Sequence, residues 1–155
     1  MKKYILETET ILDMPLDEVF PFFADAHNLN RVTPPWLDFE IISDRDIGMN
    51  VGTQVQYRLK LHGIPVRWRS EITEWDPPNK FTDTQIQGPY RLWVHEHIFR
   101  PDADKTIMRD RVTYSVPGWI FAPLIHSVFV KRDLDRIFSY REKIFKRIFS
   151  SSRRP

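Results

Sequence analysis

The sequence contains no cysteine, and this absence excludes several kinds of site. A chain without cysteine has no disulfide framework, no thiolate metal site and no cysteine nucleophile. Its 155 residues are the size of one ordinary domain and can bury a substantial core without such cross-links. We therefore expect a single domain over residues 1–149 and a disordered tail over 150–155.

Long apolar runs are also absent, because charges or prolines interrupt every hydrophobic stretch. No stretch approaches the apolar length of a membrane span. The first residues, MKKYILETETILDM, alternate apolar with polar side chains, whereas a signal peptide has a continuous apolar region. These patterns predict a cytoplasmic protein with no membrane span.

The sequence also lacks an excess of charge of one sign, since the formal net charge is only +2. The segment Arg67-Trp68-Arg69 combines charge with an aromatic ring, as nucleic-acid sites do. Strand alternation, however, sends Trp68 to the opposite face from both arginines, and a stacking platform needs ring and charge together. The sequence predicts no nucleic-acid partner.

Aromatic surface is abundant by contrast, with five Trp and eleven Phe. Large flat side chains in this number exceed what a core of this size requires, and they suit the wall of a small-molecule cavity.

The order of predicted elements begins with a strand over residues 4–12. Pro15 then starts a short helix, and a second short helix covers Ala26 to Val32. From there to Val116 the apolar period is two, which predicts an antiparallel meander. From about Phe121 to Phe149 the period becomes helical.

The strands joined by the turn at His62 and Gly63 each have one predicted inward face. The inward sets are Val51, Thr53, Val55, Tyr57, Leu59 and Leu61, and then Ile64, Val66, Trp68, Ser70 and Ile72. Placing Leu61 opposite Ile64 sets Tyr57 opposite Trp68, so register and burial agree.

Three segments carry a family resemblance: NLNRVTPPWLDFEI at 28–41, GIPVRWRSEITEWDPPNKFTDTQIQGPYRLWVHEHIF at 63–99 and MRDRVTYSVP at 108–117. They resemble the SRPBCC or START-like helix-grip superfamily, which is birch-pollen-allergen-like, in its bacterial polyketide cyclase/dehydrase-like or ligand-binding branch. The resemblance implies an α+β fold. A curved antiparallel sheet of six or seven strands, with two short helices after the first strand, would wrap around one long C-terminal helix and enclose a cavity.

Strand alternation places several polar side chains on the inner faces of the last three strands. His97 is expected opposite Asp110, and Asp83 opposite His95. The same register sets Gln85 and Tyr114 on either side of Trp93. Buried polar groups are costly without partners, so the pairing supports this assignment.

These acid–histidine pairs have three interpretations. Asp83, His95, His97 and Asp110 either satisfy one another and shape the cavity floor, or include a catalytic general acid or base. The two histidines with a carboxylate also fit a metal site. Because the aspartates alone explain both histidines, we predict no metal and no cofactor.

Arg141 interrupts the apolar stripe of the long helix. It is expected to pair with an acid of the short N-terminal helices, or alternatively to bind an acid group of a ligand. The residues expected to line the cavity are Trp36, Tyr57, Trp68, Phe81, Gln85, Trp93, His95, His97, Tyr114 and Arg141.

Three functions follow as hypotheses. The first is a binding protein, a monomer or weak dimer, whose apolar cavity of roughly 300 to 1,000 Å³ takes a small hydrophobic, aromatic or lipid-like ligand. The second is a cofactor-free cyclase or dehydratase that moves a proton with a cavity histidine. The third is an interaction protein that uses Trp119, Ile120 and Phe121 together with the basic C-terminal end.

Overall fold

Seven antiparallel strands form one sheet in the computed structural model, which describes residues 1–43, 47–118 and 121–150. The strands in chain order are β1 (Tyr4–Leu12), β2 (Glu40–Ile41), β3 (Gln54–Leu61), β4 (Ile64–Asp76), β5 (Lys80–Gln87), β6 (Leu92–Asp102) and β7 (Lys105–Ser115). Their spatial order is β1-β7-β6-β5-β4-β3-β2. The predicted α+β helix-grip architecture is confirmed.

The chain between β1 and β2 must cross the sheet, because those two strands lie at opposite edges. It does so through short helical segments. These are α1 (Leu16–Phe23), a 3₁₀ turn (Ala26–Asn28), α2 (Leu29–Val32) and a second 3₁₀ turn (Pro35–Leu37). α1 has Pro15 at its N-cap and two acids in its first turn, where they favour the positive end of the helix dipole.

The C-terminal helical run is less uniform than the predicted single helix. It consists of α3 (Ala122–Ile125), a π-helical turn (His126–Val130) and α4 (Lys131–Ile148). α4 buries Leu134, Phe138, Arg141 and Phe145. Because this spacing of four and three residues returns to one face of an α-helix, these four side chains all face the sheet.

Strand register follows the prediction closely. Leu61 pairs with Ile64, and Tyr57 pairs with Trp68. The inner face is shorter than predicted, however. Val51 precedes β3 and Ile64 begins β4 beside the hairpin turn, so each is 65% exposed. The alternating pattern continues to the ends of these strands, whereas burial is confined to their middle, at Val55, Leu59 and Trp68.

Two apolar clusters fill the space between sheet and helices. The phenylalanine cluster comprises the buried residues Leu12, Val19, Phe20, Val32, Ile72, Phe81, Phe99, Met108, Phe145 and Phe149. The tryptophan cluster comprises Leu37, Leu59, Trp68, Trp93, Val112, Tyr114, Val116, Leu134 and Phe138. Both clusters take residues from α4, which therefore spans the interior from end to end.

Part of the third hypothesis lies outside the described residues. Trp119 and Ile120 are outside them, as is most of the predicted tail (151–155) with its basic residues. Phe121 is described and is 62% exposed. Within the described chain, no helix combines the length and the apolar character that crossing a bilayer requires.

Candidate functional site

A layer of polar side chains crosses the interior between the two apolar clusters. On β6, Trp93 belongs to the tryptophan cluster and Phe99 to the phenylalanine cluster, with His95 and His97 between them. The neighbouring elements contribute at the same level. We call Ser70, Asp83, His95, His97, Asp110 and Arg141 the polar layer.

The predicted strand pairing within this layer is confirmed. His97 pairs with Asp110 across β6 and β7, and Asp83 pairs with His95 across β5 and β6. All four residues therefore share the inner face, since alternate residues of paired strands point to the same side. Trp93 pairs with Tyr114 as expected.

The hydrogen bonds, however, run diagonally between the predicted partners. Nε2 of His95 lies 2.7 Å from Oδ1 of Asp110, and Nε2 of His97 lies 2.8 Å from Oδ2 of Asp83. The directly opposite atoms are farther apart, at 3.3 Å from His97 Nδ1 to Asp110 and 3.9 Å from His95 Nδ1 to Asp83. An imidazole is long enough to reach a diagonal neighbour, which backbone pairing does not reveal.

Aromatic stacking holds the two imidazoles in place. The His95 and His97 rings stack with centroids 3.7 Å apart, and Phe81 stacks on the other side of His97 at 4.2 Å. Phe138 of α4 approaches His95 at 5.7 Å. The histidines are therefore fixed both by hydrogen bonds in the layer and by rings above and below it.

Both carboxylates are held in their ionised form. Burial alone would raise the pKa of Asp110, but the hydrogen bond and charge of His95, with smaller contributions from His97 and Arg141, hold the pKa well below its usual value. For Asp83, burial is likewise opposed by the hydrogen bond from His97 and by the charges of both histidines and Arg141, so its pKa is also lowered. The layer thus contains two negative charges at neutral pH.

The two histidines differ in protonation. Burial would lower the pKa of His97, but its contacts with Asp110 and Asp83 outweigh burial and raise the pKa. For His95, burial and the charge of His97 prevail over the hydrogen bond to Asp110, and the pKa is lowered. Because Asp110 accepts, Nε2 of a neutral His95 carries the proton and Nδ1 keeps its lone pair.

The expected pairing of Arg141 with an acid of the N-terminal helices is wrong. Among the described residues no carboxylate forms an ion pair with Arg141, although only 8% of the residue is exposed. Its guanidinium carbon instead lies 5.4 Å from the ring centroid of Phe138 and 5.1 Å from that of Phe145. Its Nε atom is buried with no hydrogen-bond partner among the described residues.

A cavity of about 180 Å³ lies between the sheet and α4. It is smaller than the range expected from the sequence, because aromatic rings from both clusters project into the space. Its walls are mainly apolar and include Phe23, Leu37, Tyr57, Trp68, Phe81, Trp93 and Phe138. Ser70, Asp83, His95, His97 and Arg141 of the polar layer reach the same cavity.

Two wall residues, Tyr57 and Trp68, carry polar groups: a hydroxyl that stays protonated and an N–H that is hydrogen-bonded. Burial raises the pKa of the Tyr57 hydroxyl, and the charge of Asp83 adds to the rise, so this hydroxyl stays protonated. Nε1 of Trp68 donates to the hydroxyl of Ser70 at 3.0 Å. The wall therefore supplies hydrogen-bonding groups as well as apolar surface.

Several expected site residues lie elsewhere. Trp36 is 46% exposed and packs on Tyr140 and Arg136 of α4. Gln85 is bonded in both directions to the backbone of Tyr90, at 2.8 and 3.2 Å, which closes the turn between β5 and β6.

Tyr114 and Asp110 are buried behind the cavity wall instead of lining it. The Tyr114 hydroxyl is 2.7 Å from Nε2 of His126, in the tryptophan cluster. Asp110 is 4% exposed and contacts the cavity only through the histidines that it binds. Any effect of Asp110 on the cavity is therefore transmitted through those side chains.

Sequence reasoning did not identify Phe138 and Ser70 as site residues. The helical period over residues 121–149 predicts Phe138 only as part of the apolar stripe of the long helix, and strand alternation predicts Ser70 only as an inward position. The signal for Phe138 was its spacing of three residues before Arg141, because residues at this spacing share a helix face. Phe23 is predicted on the apolar face of the first short helix but not in the cavity wall, and Leu37 follows the prolines, where no period describes the packing.

Asp83, His95 and His97 also meet the geometric condition for a metal site, since one potential ligand atom from each lies within 4.8 Å of the others. Both Nε2 atoms are already bonded to carboxylates. The expected absence of metal and of any cofactor stays a prediction that a metal analysis tests.

Comparison with known families gives one match to most of the chain. A family model described as "Polyketide cyclase / dehydrase and lipid transport" matches residues 12–138. No curated protein sequence matches significantly.

Solved structures share the whole architecture at low sequence identity. The protein TTHA0849 from Thermus thermophilus is 18% identical with a TM-score of 0.76, covering 97% of this chain and 100% of its own. Major latex-like protein 151 from Panax ginseng is 14% identical with a TM-score of 0.70, covering 96% and 98%. The Zhui aromatase/cyclase from a Streptomyces species is 15% identical with a TM-score of 0.67, covering 97% and 98%. At these identities the likeness establishes the fold alone.

Proposed function

We propose that this chain, which belongs to the polyketide cyclase / dehydrase and lipid transport family, binds a small aromatic ligand in the cavity between the sheet and α4. Family and fold support a ligand-binding or cyclase-like helix-grip protein. The observation that carries the finer proposal is the cavity wall, in which aromatic side chains and buried polar groups face one space between the sheet and α4. Such a combination is typical of small-molecule sites.

The size of the cavity limits the ligand. A volume of about 180 Å³ is below the roughly 300 Å³ of smaller drug-sized sites, so it favours a molecule with one or two rings over a long lipid chain. Trp68 and Trp93 meet edge to face at 5.3 Å. This arrangement presents ring faces and ring edges to a flat ligand.

A matched pair of substitutions tests cavity binding. Ile137 lines the cavity and is partly buried, so Ile137→Trp should fill the space without overpacking a closed core. Ile86 on β5 is 47% exposed, so Ile86→Trp adds the same surface outside the cavity. We expect calorimetry to detect indole binding in the wild type and in Ile86→Trp but not in Ile137→Trp. Equal binding by all three proteins would place the ligand elsewhere.

Native mass spectrometry of freshly purified protein gives the chemical class directly. A co-purifying molecule of one or two rings would support the proposal, and its loss in Ile137→Trp would locate it. A long-chain lipid found in both tryptophan variants would contradict it.

A second candidate function is a cyclase or dehydratase, and the state of His95 favours it. A neutral imidazole that lines the cavity, with Nε2 directed to Asp110 and a lone pair on Nδ1, is the arrangement of a general base. It would accept a proton from the carbon next to a substrate carbonyl and return it to the departing hydroxyl, which leaves as water.

Two variants separate catalysis from simple binding. If His95 is catalytic, His95→Gln and Asp110→Asn should each abolish most turnover of an identified substrate, and the double variant should lose little more because the two residues act as a unit. If the protein only binds, Asp110→Asn should lower stability while affinity changes only through that loss. Cytoplasmic localisation and a monomeric or weakly dimeric state remain sequence predictions, which fractionation and sedimentation analysis test.

A further inference from the structure

Arg141 is the member of the polar layer for which the described residues show no hydrogen bond at all. The other buried nitrogen without a hydrogen-bond partner there is Nδ1 of His97, which lies 3.3 Å from Asp110. Hydrogen bonds from the two histidines occupy Asp83 and Asp110. Nε of Arg141 has no partner among the described residues. Because a guanidinium carries five N–H donors and no acceptor, its burial without an acceptor is costly.

The position of Arg141 is set by the helix and not by an ion pair. It lies on the buried face of α4, between Phe138 and Phe145, and their rings contact the guanidinium. Its charge lowers the pKa of Asp83 and of Asp110 as a minor contribution, so it is near them without binding them. It also lines the cavity, which leaves a ligand as the available acceptor.

Net charge alone does not select the ligand. The charges of Arg141 and of protonated His97 together equal those of the two carboxylates, with His95 neutral. The selection comes from unfilled donors in a fixed fork. A carboxylate matches that fork with two parallel hydrogen bonds, whereas a hydroxyl or an amide oxygen provides one acceptor atom.

We propose that the cavity ligand is a small aromatic carboxylic acid, whose carboxylate binds to Arg141 while its ring packs against Trp68, Trp93 and Phe138. This assignment rests on the proposed binding function and names the chemical class of its ligand. Arg141 is then a binding residue that orients the ligand, with its acid group at the polar layer and its ring in the tryptophan cluster.

Cinnamate and cinnamamide test the assignment, because they have the same shape and differ in the charged group. We expect calorimetry at neutral pH to give the wild type a roughly tenfold or larger preference for cinnamate, the ratio that a charge-assisted hydrogen bond supplies. In Arg141→Gln the preference should vanish through loss of cinnamate affinity, with cinnamamide affinity nearly unchanged. Arg136→Gln, at an exposed position of the same helix, is the matched control and should keep the preference.

Arg141→Lys keeps the test decisive if Arg141→Gln fails to fold. Lysine preserves the charge but not the planar fork, so the preference should fall without disappearing. Equal binding of both probes by the wild type, or an unchanged preference in a folded Arg141 variant, would overturn the assignment and leave cavity binding intact. Failure of the wild type to bind cinnamate, cinnamamide and indole alike would contradict the binding function itself.

Discussion

The phenylalanine cluster and the tryptophan cluster differ in their share of the cavity wall. In the first, apolar rings meet edge to face, as Phe20 does with Phe99 at 5.4 Å and with Phe81 at 6.2 Å. In the second, Trp68 and Trp93 carry polar N–H groups, meet edge to face and both line the cavity. The comparison teaches that the cavity is bordered more by the tryptophan cluster, with six of its nine buried residues, than by the phenylalanine cluster, with three of its ten.

The largest expected effect is the loss of stability when one phenylalanine of either cluster is replaced by alanine. Phe145 is 1% exposed in the phenylalanine cluster, and Phe138 is 6% exposed in the tryptophan cluster. Phe145→Ala should lower the free energy of unfolding by about 3–5 kcal/mol. Phe138→Ala should cost less, because one side of its ring already faces the cavity. Urea denaturation measures both, and equal losses would show that the two ends are packed alike.

The next effect concerns pH and distinguishes the two histidines. The pKa of His97 is raised, so its stabilisation is full below the unfolded pKa of about 6.5 and is lost as pH rises through the folded pKa. The pKa of His95 is lowered, so its contribution is present above about 6.5 and is lost as pH falls through the folded pKa. The two histidines therefore impose opposite pH dependences on folding.

Glutamine substitutions at these positions measure the opposite slopes. The stability difference between wild type and His97→Gln should shrink as pH rises, and the difference for His95→Gln should shrink as pH falls. Denaturant titrations from about pH 5 to about pH 9 cover the window. Slopes of the same sign in both variants would contradict the assigned protonation states.

A smaller effect compares a tryptophan outside the cavity with one inside it. Trp36→Ala should cost about 0.5–1 kcal/mol, the value of an exposed cation–π contact, and leave indole affinity unchanged. Trp93→Ala should reduce indole affinity, since Trp93 is 8% exposed and lines the cavity. An equal loss of indole affinity in Trp36→Ala would show that Trp36 contributes to the binding site.

The smallest expected effect is that of a chelator. If carboxylates alone hold the two histidines, the purified protein should contain no stoichiometric zinc or iron, and chelator should leave its melting temperature unchanged. Elemental analysis with a melting curve decides this. Stoichiometric metal would assign Asp83, His95 and His97 to coordination instead.

Much of the polar layer could be predicted from period and turn length. Alternation assigned His95, His97 and Asp110 to one face, and short turns fixed which residues lie opposite each other. The diagonal hydrogen bonds could not be predicted, because side-chain reach selects among neighbours at similar distances. The strand residues that Arg141 lies next to could not be predicted either, since no sequence pattern encodes the position of α4 along the sheet.

The remaining differences between prediction and structure arise where the local sequence pattern does not match the burial of a residue in the folded chain. Val51 and Ile64 continue the strand alternation but are each 65% exposed, Val51 before the start of β3 and Ile64 beside the hairpin turn. Trp36 sits in the 3₁₀ turn Pro35–Leu37, and its large apolar ring suggested a cavity role that its packing on the outside of α4 does not support. The cavity volume depends on the same helix-to-sheet distance.

The polar layer has a consequence for how the chain selects its fold. The outward residues of β6 include Glu96, which pairs with Lys80 at 3.0 Å on the solvent side. A slip of β6 by one residue would turn Glu96 inward and carry His95 and His97 out to solvent, leaving Asp110 buried without its partners. Mispaired forms are therefore penalised far more than they would be in an all-apolar interior. The same side chains that face the cavity would thus also favour the native alignment of the strands during folding, because misaligned strands would leave a charge buried without a partner.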